Sequence, residues 1–201
     1  MSPAGSGETS EPKLVLVRHG ATEWSENGRH TGRTDLPLLP KGRARAGELG
    51  RIFAGVAIDR VLCSPMRRAR ETCELAGFGD RMVIVDDLHE WDYGEYEGLT
   101  SPEIRERNPE WDLWRDGCPG GESPAQVAAR ADRVIGMGVA PSAAADTICF
   151  AHGHILRVLS ARWCGFAAAG GERLALAPAG IAKLGHEHAT RVIDRWNVTL
   201  L

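Results

Sequence analysis

The chain has 201 residues, 43% hydrophobic and 25% charged, which is long and apolar enough to bury a core and excludes a disordered polymer. Its formal net charge of −3 gives no global attraction for nucleic acid or an anionic membrane, so any anion site must be built locally. No apolar stretch reaches membrane-spanning length, because Arg157 and Arg162 interrupt the best candidate.

Residues 1–12, MSPAGSGETSEP, are small, polar and acidic, and predict a flexible leader without the basic start or apolar run of a signal peptide. KLVLV at 13–17 predicts a buried strand, and a helical pattern runs from about Lys41 to Phe53. Ile58 to Cys63 reads as a strand, Met66 to Ala76 as a helix, and Met82 to Val85 as a further apolar run. Residues 90–122 break this rhythm: three of the six tryptophans, two tyrosines and a Gly-Pro-rich ending, CPGGESP, predict a segment that covers a site instead of joining the sheet. Pro124–Val139 reads as a helix, Thr147–Phe150 as a strand and Ile155–Cys164 as a helix; IAKLGH and RVIDRW, separated by EHAT, predict an antiparallel hairpin. This alternation predicts a single α/β domain over residues 13–201, with a mostly parallel central sheet and helices on both faces. The five cysteines are odd in number and form no CxxC, as expected of free, buried thiols in a reducing, cytoplasmic setting.

In open parallel sheets, ligands bind beyond the carboxyl ends of the strands. Four such ends carry useful chemistry here: LVLV runs into Arg18-His19-Gly20, VLC into Ser64-Pro65 and Arg68, MVIVDDL into His89-Glu90, and TICFA into His152-Gly153. Each residue alone reads as surface, core or turn. Together they form a coherent set. Two guanidiniums suit phosphate oxygens, two histidines supply a nucleophile and a second donor, and a glutamate can protonate a leaving alkoxide. The flanking arginine charges are expected to keep His19 neutral, and a helix after Gly153 is expected to add backbone N–H groups toward an anion.

The strings LVLVRHGATEW, SPMRRARET, LHEWDYGEYEG and CFAHGHILR, in that order, resemble the histidine phosphatase superfamily, also called phosphoglycerate-mutase-like, from about Lys13 to Asn197. The resemblance implies a phosphoglycerate-mutase-like fold and turnover through a phosphohistidine at His19. It implies that Arg18 holds the phosphate, that Glu90 is the proton donor and that His152 is the second phosphate-binding histidine. The family's second arginine precedes an alanine, which selects Arg68 over Arg67. TGRTDLPL resembles the family's TG loop and places Thr31 and Gly32 at the mouth of the pocket, where Tyr93 and Gly153 are also expected to meet substrate. Ser25 stands where the family has asparagine, so part of that hydrogen bonding to phosphate is expected to be retained. No cofactor or metal is expected, and the partner is a small phosphorylated metabolite, with neither nucleic acid nor membrane involved. A homo-oligomer is compatible with the chain.

Other chemistries find little support. The residue six beyond Cys63 is Ala69, so Cys-x5-Arg is absent there, and no Asp-x-Asp, GxxxxGK[ST] or GxSxG occurs. His186-Glu-His188 and His152-Gly-His154 have metal-ligand spacing, but no carboxylate or thiolate completes either pair. His186 and His188 read as solvated turn residues, His30 and His89 as local donors, and His154 as a residue of the pocket rim. Trp24, Trp91, Tyr93, Trp111 and Trp114 predict either an aromatic rim for an uncharged moiety or the core of the cover.

The alternative activity is that of a cofactor-dependent phosphoglycerate mutase. Residues 90–116 hold nine acidic residues against Arg105, Arg107 and Arg115. Trp114-Arg115-Asp116-Gly117 and Glu90-Trp91-Asp92-Tyr93-Gly94 stand where mutases of the family carry further basic residues. A second anionic group would therefore be poorly held. The expected activity is hydrolysis of a small organic phosphomonoester, with an acid-shifted rate profile because Glu90 must carry a proton while His19 does not.

Overall fold

Leu14–Arg18 forms strand β1, and its strict alternation sets the architecture: Leu14 and Leu16 enter one apolar core, Val15 and Val17 another. The computed structural model describes residues 13–139 and 145–199, so the expected leader over 1–12 lies outside them. The further strands are β2 (Ile58–Cys63), β3 (Met82–Ile84), β4 (Asp146–Ala151), β5 (Ile181–Glu187) and β6 (Thr190–Val198). They form one sheet in the order β3-β2-β4-β1-β5-β6. The first four are mutually parallel; β5 pairs antiparallel with β1, and β6 antiparallel with β5. The expected single α/β domain with a mostly parallel sheet and the closing hairpin are both present.

Helices α1 (Glu23–Asn27), α2 (Pro40–Ile52) and α3 (Arg67–Leu75) come early in the chain. Helices α4 (Ser101–Arg107), α5 (Leu113–Asp116), α6 (Pro124–Gly138) and α7 (Gly153–Trp163) follow. Leu49 of α2 and Ala69 and Cys73 of α3 pack with Val15 and Val17 on one face of the sheet. Val127, Val134 and Ile135 of α6 and Ile155, Leu156 and Leu159 of α7 pack with Leu14 and Leu16 on the other. Both faces are covered, as parallel strands require. Proline at the first helical position opens α2 and α6, and the Ser123–Gln126 capping box satisfies the first amides of α6. Helix α7 begins at Gly153, two residues earlier than the apolar pattern predicts, because the chain turns into it directly from β4.

The parallel register brings the strand ends together. Arg18 is opposite Ala151 and Cys63 opposite Phe150, while the His19 amide donates to the Ala151 carbonyl and the Ser64 amide to the Phe150 carbonyl. Three adjacent strands therefore deliver His19, Ser64 and His152 to the same edge. Trp91, Tyr93, Tyr96, Ile104 and Trp111 are buried in the core shared with α6 and α7, so those aromatic side chains are mainly packing, whereas Trp24 is half-buried at a cavity wall.

Gly20 and Gly42 let the loop after β1 press on the first turn of α2. A Cβ on Gly42 would lie 2.4 Å from the Ala21 carbonyl oxygen. Gly47, on the exposed face of the same helix, has nothing within 4 Å of its would-be Cβ. Gly42→Ala is therefore expected to cost about 1–3 kcal/mol of stability by overpacking against backbone. Gly47→Ala is expected to gain up to about 1 kcal/mol from helix propensity. Chemical denaturation of the two variants checks the contrast; equal effects would show that the Gly42 contact relaxes freely.

Candidate active site

His19 is buried, and its Nδ1 lies 2.7 Å from the Gly20 carbonyl oxygen. A carbonyl only accepts, so Nδ1 carries the proton and Nε2 keeps its lone pair. Burial, and then the charges of Arg68 and Arg18, hold the His19 pKa well below its ordinary value. The side chain is a neutral imidazole with a defined tautomer, which is what a nitrogen nucleophile requires.

Arg68 is fully buried, whereas Arg67 is exposed and pairs with Glu71. The Arg68 guanidinium donates from Nη1 to the Thr34 carbonyl, from Nη2 to the Thr31 and Gly32 carbonyls, and from Nε to His152 Nδ1 at 3.1 Å. Because Arg68 can only donate, His152 Nδ1 must accept, and the proton of this imidazole sits on Nε2. That N–H donates to Ser64 Oγ at 2.7 Å. Burial, and then the Arg68 charge, keep His152 neutral as well. The two histidine rings face each other at 5.2 Å. His152 is thus already bonded at both nitrogens, and in this arrangement it aims Arg68 instead of presenting a free N–H. Ser64, which chemistry alone singled out only as a strand-end residue, terminates this chain of bonds.

Arg18 donates from Nη1 to the Leu176 carbonyl at 2.5 Å, while its buried Nε has no hydrogen-bond partner among the described residues. A Cβ at Gly153 would sit 3.4 Å from that Nε and 3.6 Å from Glu90 Oε2, so Arg18, Glu90 and the start of α7 meet at this residue. Glu90 is buried; Oε1 accepts from the Trp91 and Ile155 amides and Oε2 from the His154 amide, each at 2.9 Å. The first turn of α7, expected to face the anion, donates these two amides to Glu90. The loop bearing Glu90 is held from α6: Arg130 donates to the Asp87 and His89 carbonyls and pairs with Glu122 through two hydrogen bonds. Glu122 of the PGGES string also accepts from the Asp92 amide.

A cavity of about 230 Å³ opens beside Arg18 and His19. Ser25, Thr31 and Tyr93 line it, as do His30 and His154, which were expected only as a local donor and a rim residue. The Ser25 hydroxyl donates to the Thr22 carbonyl and accepts the Thr22 amide, closing the capping box of α1. The Gly32 amide is bound by both oxygens of Glu97, which also accepts from Thr34; the loop is clamped by Glu97 through its amides and by Arg68 through its carbonyls. A Cβ on Gly32 would lie 2.7 Å from the Trp91 carbonyl, so the residue is glycine for packing. His188 is an exposed turn residue with φ of 53°, but His186, expected to be solvated, packs against the Trp163 ring at 5.2 Å. All five cysteines are free; hydrogen bonding with Cys73 and burial raise the Cys63 pKa, and burial pushes Cys149 up to about 12, so neither offers a thiolate.

Residues 14–199 match the model of the histidine phosphatase superfamily, branch 1. This chain belongs to that family. The histidine phosphatase is 43% identical over 181 residues to an acid phosphatase of Mycobacterium tuberculosis, covering 89% of each chain. It is 38% identical to sedoheptulose 1,7-bisphosphatase of Saccharomyces cerevisiae, over 77% of this chain and 68% of that protein. Among solved structures, one of an open reading frame from M. tuberculosis superposes with a TM-score of 0.89 at 41% identity, covering 94% and 98% of the two chains. A mycobacterial glucosyl-3-phosphoglycerate phosphatase solved with VO3 superposes at 0.83 and 28% identity, over 94% and 100%. A phosphoglycerate mutase of Gloeobacter violaceus is 35% identical over 73% of each chain. The enzyme is a phosphatase, and the mutase alternative is the less favoured one. Among the described residues no helix is long and apolar enough to cross a membrane.

Two outcomes are expected from this geometry. His19, His152 and His154 have pKa values well below the ordinary 6.5, chiefly through burial. In the unfolded chain they titrate near 6.5, so the unfolded state takes up protons that the folded state refuses. Stability is complete above about pH 6.5 and is lost as the pH falls from there toward the depressed values, at about 1.4 kcal/mol per pH unit for each histidine. Urea titrations between pH 7 and 5 should show this slope, and His154→Phe should remove one proton's worth of it; a flat profile would refute the neutral assignment. Ser64→Ala leaves the buried His152 N–H without its acceptor. It should cost about 1–3 kcal/mol of stability and weaken inhibition by vanadate, whereas wild-type values for both would show that His152 needs no such support.

Proposed function

We propose that the enzyme hydrolyses small phosphomonoesters through a phosphohistidine on His19 Nε2. The observation that carries this reading is the Nδ1–Gly20 carbonyl bond, which leaves a bare, neutral Nε2 beside two buried guanidiniums. Arg18, with an Nε that has no protein partner among the described residues, supplies a donor and charge for the phosphoryl oxygens, and the buried Arg68 adds its charge beside them. In the first step Nε2 attacks phosphorus, the bond to the ester oxygen breaks, and Glu90 gives that oxygen a proton. In the second step water attacks the phosphohistidine, its proton passes to Glu90, the N–P bond breaks and inorganic phosphate leaves. Thr31 and Tyr93 flank the reacting group, and residues 90–122 serve as the cover. The acidic character of that cover supports hydrolysis of a monoester over transfer to a second anionic site.

The need for a protonated Glu90 supports an acid-shifted optimum, with kcat falling on the alkaline side. Rapid quenching with labelled substrate should give an acid-labile, base-stable phosphoprotein that His19→Ala lacks. Glu90→Gln should slow hydrolysis of alkyl phosphates by about a hundredfold or more, within the range of general-acid contributions, and slow p-nitrophenyl phosphate far less, because its leaving group departs without a proton. Label on another residue, or a Glu90→Gln penalty independent of leaving group, would sink the mechanism.

A further inference from the structure

Two histidines of the cavity wall take no part in the chemistry above. His30 is held by its own backbone: its amide donates to the Leu99 carbonyl and its carbonyl accepts from Gly98. Its Nδ1 also lies 2.8 Å from the Leu99 oxygen. A carbonyl oxygen can only accept, so Nδ1 carries the proton and Nε2 is an acceptor. Burial lowers the His30 pKa and keeps the ring neutral.

His154 stands on the first turn of α7, its ring parallel to that of His30 within 6° and 6.2 Å away. Tyr93 Oη lies 2.6 Å from His154 Nδ1. Burial raises the Tyr93 pKa well above 10 and lowers that of His154, so the phenol keeps its proton and the imidazole stays neutral. The buried phenol has this one hydrogen-bond partner among the described residues and donates to it, which places the His154 proton on Nε2. Neither Nε2 has a hydrogen-bond partner among the described residues, and both rings line the cavity.

The wall next to His19 therefore offers one neutral acceptor and one neutral donor. A hydroxyl group both donates and accepts and can satisfy such a pair; a carboxylate or a phosphate offers no proton to His30 Nε2 and would face its lone pair. Arg29, the cation lining the cavity besides Arg18, is already directed to the Gly98 carbonyl at 2.6 Å and to Glu103 at 3.5 Å. Among the described residues lining this wall, no cation besides these two is present to compensate a second anion. We propose that His30 and His154 read a hydroxyl, or a vicinal pair of hydroxyls, on the leaving alcohol, so that the preferred substrates are phosphomonoesters of sugars or other polyols. This rests on the phosphatase reading given above and names the substrate class of that same site.

The test compares kcat/KM for a hexose 6-phosphate and a tetritol phosphate with their deoxy analogues, with 3-phosphoglycerate, and with phenyl phosphate as the reference without hydroxyls. Polyol esters should be preferred over 3-phosphoglycerate. Removing the contacted hydroxyl should cost about tenfold, as expected for a buried polar pair left unmatched. His30→Phe should lower the ratio of polyol to phenyl phosphate kcat/KM by about tenfold, and His30→Gln, which keeps an acceptor, should recover part of it. A ratio within twofold of wild type in His30→Phe, or a wild-type preference for 3-phosphoglycerate, would overturn the proposal while leaving the phosphohistidine mechanism standing. Failure of the unmodified enzyme to form a phosphoprotein from any of these esters would overturn both.

Discussion

Arg68 carries a full positive charge into a position with no exposed surface, and the hydrogen bonds that make this tolerable run along the edge of the sheet that holds His19, Ser64 and His152. Its donors go to three carbonyls of the 31–34 loop and to His152 rather than to a carboxylate. A carboxylate partner would cancel the charge; carbonyls and an imidazole solvate it and leave it electrostatically available. The consequences extend outward. His152 has its tautomer dictated by Arg68, Ser64 Oγ accepts the hydrogen bond from its Nε2–H, and the same charge helps to keep His19 neutral. The site is thus held in the state that a dianionic ligand would complete.

The acidic side of the pocket is anchored by a different logic. Glu90 accepts three backbone amides, two of them from the start of α7, where the helix leaves N–H groups unpaired. Its loop is fixed from α6 by Arg130, which bonds backbone carbonyls and the Glu122 carboxylate together. The Gly-Gly-Glu string at 120–122 thereby braces the Glu90 loop, although it lies about thirty residues away in sequence. Gly121 permits this approach, since a Cβ there would lie 2.2 Å from the Asp92 carbonyl. The two halves of the site are positioned by separate parts of the fold, which meet at Gly153.

Neutral imidazoles are a recurrent feature of this pocket, and three of them take their tautomer from a partner that can only donate or only accept. Gly20 decides it for His19, Arg68 for His152 and Leu99 for His30. The enzyme therefore joins a rate profile expected to favour acid with a fold that acid weakens. That tension is intrinsic to the proposed role of His19, a buried nitrogen nucleophile surrounded by other buried nitrogen bases.

How much of this was legible in the chain alone follows from what is local and what is not. The period-two and helical patterns marked β1, β2, β4 and most helices, because apolar periodicity is a property of consecutive residues. The choice of Arg68 over Arg67 came from the family resemblance, while the meeting of His19, Glu90 and His152 followed from motifs placed at strand ends, since a parallel sheet aligns those ends whatever lies between them. Helix α1 escaped notice because five residues leave no measurable period and depend on a Thr22–Ser25 cap. The amides of α7 were expected to face phosphate and instead hold Glu90, since a buried carboxylate brought there by a distant loop takes the nearest unpaired donors. Sequence by itself determined the residue types, their order and the edge of the sheet they occupy. Only the tertiary structure decided which atom of each bears a proton, which donors are already taken, and that His30 joins His154 at the cavity wall, because, the bond of His19 to the adjacent Gly20 apart, the deciding hydrogen-bond partners lie more than sixty residues apart, are set by packing and leave no periodic trace in the chain.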